Sequence, residues 1–113
     1  MVEKEIVNIV KEYIQRLTYS GVRVTKAVIF GSFAGNKQVD QFSDIDVMII
    51  SPYFDSAYTR EDINNLWRLA AEVDSRIEPV PVGEAQWQED NSSHLIEVAR
   101  REGFAVDLDH SLA

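Results

Sequence analysis

Two short apolar runs, parted by a polar stretch that carries two glycines, constrain this chain more than any other feature. Ala27-Val28-Ile29-Phe30 closes a segment rich in Val, Ile and Thr, residues 22–30. An unbroken apolar run of that length predicts a strand buried on both faces near its end. Residues 44–50, which finish on Val47-Met48-Ile49-Ile50, predict a second strand. The stretch between them, GSFAGNKQVDQFS at 31–43, predicts a loop or a short helical turn within a hairpin.

The flanking sequence supplies the helices that would cover such strands. Ile6, Ile9, Val10, Tyr13, Ile14 and Leu17 recur at three- and four-residue steps, one apolar face of a helix that Ser20-Gly21 ends. Residues 59–75 predict a second helix, with Thr59 and Asp62 as a capping pair and Ile63, Leu66, Trp67, Ala70 and Val73 as the buried face. Residues 76–82 read as extended. Pro79 and Pro81 cannot donate ladder hydrogen bonds, so this strand belongs on a sheet edge or pairs through its other residues. A third helix over 92–102, built on Leu95, Ile96 and Ala99 and closed by Gly103, and a short strand over 104–108 complete the pattern. The expected fold is α/β (α+β): a small mixed sheet of about four strands flanked by about three helices.

At 113 residues the chain is expected to form one domain, spanning 1–113. It has no cysteine, which excludes a disulfide framework, a thiolate zinc site and a cysteine nucleophile. No apolar run reaches membrane-spanning length and the first residues lack a signal-peptide core, so a soluble cytoplasmic protein without membrane association is expected. Eleven Lys and Arg against 19 Asp and Glu give a net charge of −8, which argues against non-specific nucleic-acid binding.

The chemistry concentrates between residues 30 and 50. Side chains alternate along a strand, so Asp44, Asp46 and Met48 share one face and Ile45, Val47 and Ile49 the other. The two aspartates then stand about 7 Å apart at Cα. Like charges on one face of a strand repel, and a divalent cation would relieve them: Mg²⁺ takes carboxylate oxygens together with water and phosphate. Gly31-Ser32 follows directly on the first strand. Glycine lets a backbone approach a ligand closely, free N–H groups at a turn favour an anion, and the Ser32 hydroxyl adds a donor for a phosphate oxygen.

The run GSFAGNKQVDQFSDIDVMII, with Gly31-Ser32 and then Ser43-Asp44-Ile45-Asp46, resembles the signature of the minimal nucleotidyltransferases, small members of the DNA polymerase β-like superfamily. The resemblance implies transfer of a nucleoside monophosphate, AMP from ATP or the monophosphate of another NTP, to a hydroxyl or similar acceptor. It also implies Mg²⁺ on Asp44 and Asp46, a triphosphate held by Gly31 and Ser32, and a third carboxylate on a later strand. Glu78 is the candidate for that third acid, as metal ligand and general base; Asp40 and Glu84 are the alternatives. The arginine that the family often carries after Gly-Ser is absent from Gly31-Ser32-Phe33-Ala34-Gly35-Asn36, the loop is slightly longer, and Lys37 is the nearest replacement charge. Small stand-alone members resemble the antitoxin half of toxin–antitoxin pairs, which implies a helical HEPN-type partner whose tyrosine receives the AMP. The alternative is a non-catalytic module of the same fold that neutralises its partner by contact.

Other features are expected to be structural. Val106-Asp107-Leu108-Asp109 with His110 reads as a solvated tail, His94 as part of a capped helix start, Trp67 as core and Trp87 as partly buried against its own domain. Tyr53, Phe54 and Tyr58 either border the site or cover the sheet.

Overall fold

A computed structural model of the chain describes residues 2–34 and 43–108. The first helix, α1 (Lys4–Tyr19), buries Ile6, Val10, Tyr13, Ile14 and Leu17 along one stripe and ends at Ser20 and Gly21, the latter at φ +105°. Next come β1 (Lys26–Phe30), β2 (Ile45–Ser51), α2 (Arg60–Val73), β3 (Ile77–Gly83), α3 (Glu84–Glu89), α4 (His94–Glu102) and β4 (Phe104–Val106). Single 3₁₀ turns follow β1 at Gly31–Phe33 and β2 at Pro52–Asp55.

The strands form one mixed sheet in the order β3-β2-β1-β4. The central β1 runs antiparallel to both β2 and β4, while β2 and β3, joined through α2, run parallel. Alternation along β2 divides the core as the sequence suggests. Ile45, Val47 and Ile49 pack with α1 and α2, and Met48 and Ile50 pack with Ile96 and Ala99 of α4 on the opposite face. The Tyr13 hydroxyl ties the two helices of the first face together, donating to the Leu66 carbonyl at 2.9 Å, and burial pushes that phenol well above its usual pKa.

As expected, β3 is an edge strand. The Arg76 carbonyl accepts from the Ile45 N–H at 2.8 Å, so Arg76 directs its backbone groups toward β2. Backbone direction alternates, so Glu78, Val80 and Val82 do the same, and Pro79 and Pro81 face outward, where their missing N–H groups remove nothing from the ladder. The capping pair is also present: the Thr59 hydroxyl accepts from the Asp62 N–H and the Asp62 carboxylate accepts from the Thr59 N–H.

Several expectations need correction. The first strand begins at Lys26 instead of residue 22, although the Thr25 N–H already bonds the Ile50 carbonyl. Trp67 is not core; it is 45% exposed. The arc that α2 buries is centred on Leu66, Leu69 and Ala70, so Leu69 takes the place periodicity gave to Trp67. Leu95 likewise lies outside the buried stripe of α4, which consists of Ile96 and Ala99.

The polar stretch around Trp87 holds a helix, α3, that no apolar periodicity announces. Its cap comes from elsewhere in the fold. The Asp55 carboxylate accepts from the N–H groups of Ala85 at 3.0 Å and Gln86 at 3.4 Å, and the Gln86 side chain accepts from the Gly83 N–H. Trp87 is half-buried, as expected, with Lys26 and Arg100 over its ring. A Cβ at Gly83 would stand 1.9 Å from Asp55 Oδ1. Gly83→Ala is therefore expected to expel the cap and cost about 0.5–2 kcal/mol, the range of a lost helix cap, read as a lower urea midpoint. An unchanged midpoint would show that Asp55 holds nothing in place.

Candidate functional site

The acidic residues meet where β1 ends and β2 and β3 begin. Register sets them in a row: Phe30 of β1 lies opposite Asp46 of β2, and Asp46 lies opposite Glu78 of β3. Asp44 immediately precedes β2 and is exposed, while Asp46 and Glu78 are half-buried. Gly31 follows Phe30 at φ +73°, and a Cβ there would stand 2.4 Å from Asp46 Oδ2. The glycine thus serves two needs at once: a left-handed backbone that L side chains disfavour, and room for a carboxylate against the main chain. Ser32 is half-buried in the turn that Gly31 opens, and Phe33 anchors that turn in the core.

The electrostatics follow from this crowding. Burial raises the Asp46 pKa, and the Asp44 charge adds to the rise, while a hydrogen bond from Glu78 partly offsets it. Glu78 is raised first by burial, then by its hydrogen bond to Asp46 and by the charges of Asp44 and Asp46. Among the described residues, no group of three or more His, Asp or Glu side chains stands ready to hold a metal ion. The acids influence one another's ionisation, with Asp46 and Glu78 as direct cross-strand neighbours. In chemical type the set is all oxygen and all anionic, which suits a hard divalent cation.

The structure thus brings together Gly31, Asp44, Asp46 and Glu78, with Ser32 in the adjoining turn. Of the alternatives to Glu78, Glu84 lies past the far end of β3, and Asp40 lies outside the described residues, as do Gly35, Asn36 and Lys37. Tyr53, Phe54 and Tyr58 follow the opposite end of β2, about 17 Å along the strand from Asp46, and stack edge to face on one another; they do not border the acids. Asp107 follows Val106, which pairs with Ala27 at the start of β1, so it also lies away from them. Asp109 and His110 are outside the described residues. His94 is exposed beside Ser93, whose hydroxyl caps α4 by accepting from the Ile96 N–H.

Sequence reasoning missed a pair beside this cluster. Asp74 and Arg76, in the connection between α2 and β3, form a two-pronged ion pair in which Arg76 Nε donates to Asp74 Oδ1 at 3.0 Å and Nη2 to Oδ2 at 2.8 Å. Their Asp-x-Arg spacing ahead of the Glu78 strand is the signal that could have revealed them.

Residues 4–97 match the family model described as the nucleotidyltransferase domain. No curated protein matches the chain in sequence. Among solved structures, a Sulfolobus solfataricus protein provisionally named a nucleotidyltransferase superposes with a TM-score of 0.64 and 16% identity, over 89% of this chain and 78% of that one. At that identity the likeness is one of fold. The matched span includes every residue of the acidic row.

Proposed function

This chain belongs to the nucleotidyltransferase domain family, and from that membership we propose that it transfers AMP from ATP to a hydroxyl acceptor with the help of Mg²⁺. The observation that carries the reading is the Gly31–Asp46–Glu78 row, with Asp44 beside it. Asp44, Asp46 and Glu78 would hold the cation, which when bound supplies positive charge for the triphosphate and its leaving group. The chain's own groups account for the rest. The Gly31 turn lets a phosphate approach the backbone, and the Ser32 hydroxyl donates to a phosphate oxygen. Glu78, its pKa raised toward the working pH, takes the acceptor's proton as the acceptor oxygen bonds to the α-phosphorus and the bond to pyrophosphate breaks. Positioning and charge complementarity provide most of the rate.

The net charge of −8 favours a protein acceptor over a nucleic acid. The acceptor in our reading is a tyrosine of a helical HEPN-type partner in the cytoplasm, with this chain as the antitoxin. Among the described residues no helix is long and apolar enough to cross a membrane. The second reading, a non-catalytic module that neutralises its partner by contact, draws on the absence of an arginine from Gly31-Ser32-Phe33-Ala34-Gly35-Asn36.

Melting curves with ATP separate the two. At about tenfold excess over Kd, Mg²⁺ and ATP together should raise the melting temperature by about 5 °C. The shift should vanish with EDTA and in Asp44→Asn. Labelled ATP should then leave AMP on the partner, read by mass. A melting curve indifferent to millimolar ATP and Mg²⁺ supports the contact module instead.

A further inference from the structure

The chemistry proposed above needs Glu78 opposite Asp46, yet β3 is an edge strand, held by backbone bonds on one side only. A slip of one residue would turn Glu78 to the other face of the sheet and bring Ile77 or Pro79 into its place. Something must fix the register where the strand begins.

The connection from α2 to β3 contains such a device. Asp74 ends α2, its N–H donating to the Ala70 carbonyl at 2.9 Å. Its carboxylate accepts three hydrogen bonds from Arg76: the backbone N–H at 2.9 Å and the two guanidinium bonds described above. The Asp74 carbonyl accepts from the Ile77 N–H at 3.1 Å. Both side chains are mostly shielded, at 18% and 22% exposed. Planar guanidinium and carboxylate groups paired in this way fix orientation as well as distance. The Arg76 carbonyl, held by this turn, takes the Ile45 N–H at 2.8 Å. Ile45 is the residue between Asp44 and Asp46, and Glu78 lies two residues beyond Arg76. The clasp therefore touches β2 at Ile45, between the two aspartates, and β3 at Ile77, next to Glu78.

We propose that the Asp74–Arg76 clasp is a positioning element: it locks the β2–β3 register at Ile45 and Arg76 and so holds Glu78 across from Asp46. Its catalytic meaning rests on the nucleotidyl-transfer reading; its structural meaning does not. Asp74 and Arg76 bond to each other and act on the site only through the strand they hold.

Two measurements on the full chain test it, amide hydrogen exchange and Mn²⁺ affinity by calorimetry. In Asp74→Ala, the Ile45 amide should exchange at least about tenfold faster relative to mid-sheet amides such as Val28, and Mn²⁺ affinity should fall by about tenfold, the lower end for lost supporting contacts around a metal. Asp74→Asn keeps an oxygen for the Arg76 N–H and should lie between that variant and the wild type. This milder variant keeps the test open if Asp74→Ala does not fold. The proposal is overturned if Ile45 keeps its protection, or if every core amide accelerates alongside it, as a general loss of stability would cause. A wild-type chain that binds no Mn²⁺ would overturn the proposed function instead, and Ile45 exchange alone would then decide whether the clasp sets the register.

Discussion

Asp46→Asn is expected to lower AMP transfer by about 100-fold or more while making the ligand-free protein harder to melt. The activity loss follows from the position of Asp46 in the middle of the row, between Gly31 and Glu78. Removing one group that meets developing charge in a preorganised site costs about 10²–10³-fold. The stability gain follows from the same placement. Asp46 and Glu78 are direct cross-strand neighbours, with Asp44 near both, and burial already disfavours the Asp46 charge. Like charges placed opposite one another on a sheet cost about 0.2–1 kcal/mol. Asparagine is nearly isosteric and can donate an amide N–H to the Glu78 carboxylate, so packing is kept while repulsion is relieved. A rise of about 1–4 °C in melting temperature is the corresponding shift for a chain of this size. Calorimetric melts with EDTA present, set beside transfer of labelled AMP, check both halves. A variant that melts lower would mean that Asp46 supports the fold, and one that keeps its activity would remove it from the site.

Gly31→Ala should harm both properties together. The positive φ of Gly31 costs an alanine about 1–2 kcal/mol, and the added methyl meets Asp46 Oδ2 at 2.4 Å, so the carboxylate must move. A shift of about 1 Å in a reacting group can cost 10²-fold in rate. Lower melting temperature and lower turnover are thus expected from a substitution that removes no functional group. The two causes separate in a double-mutant cycle. In an Asp46→Ala background the methyl meets no carboxylate, so only the backbone cost should remain. Equal destabilisation in the two backgrounds would show that the close approach to Asp46 has no energetic weight.

What could be read from the sequence was whatever local chemistry decides. Strand alternation placed Asp46 with Met48 and opposite Ile45 and Val47, because a period of two leaves no other arrangement. Pro79 and Pro81 limited β3 to an edge or to pairing through its other residues, because neither can donate, and the strand is on an edge. Thr59 and Asp62 marked the start of α2 because their cap is satisfied within one turn. Features decided by distant partners could not be read. The six residues of α3 form a helix because Asp55, about thirty positions earlier, binds their first N–H groups. Trp67 stays on the flank because the arc of α2 that meets α1 and the sheet runs through Leu69. For the site, the sequence offered Glu78, Glu84 and Asp40 as third acids. Position along β3 separates the first two, but the pairing of Glu78 with Asp46 depends on register, which the connection after α2 anchors.

The outward-facing prolines of β3 have a consequence for how an acceptor can reach Glu78. An extended peptide usually docks on a sheet by zipping onto its border through main-chain amides. Along this rim two successive outward amides are missing, so a linear segment cannot be recruited by β-augmentation beside the acids. On the proposed transfer reading, an incoming hydroxyl is then presented by a surface already folded, which selects for acceptors with shape of their own over flexible tails.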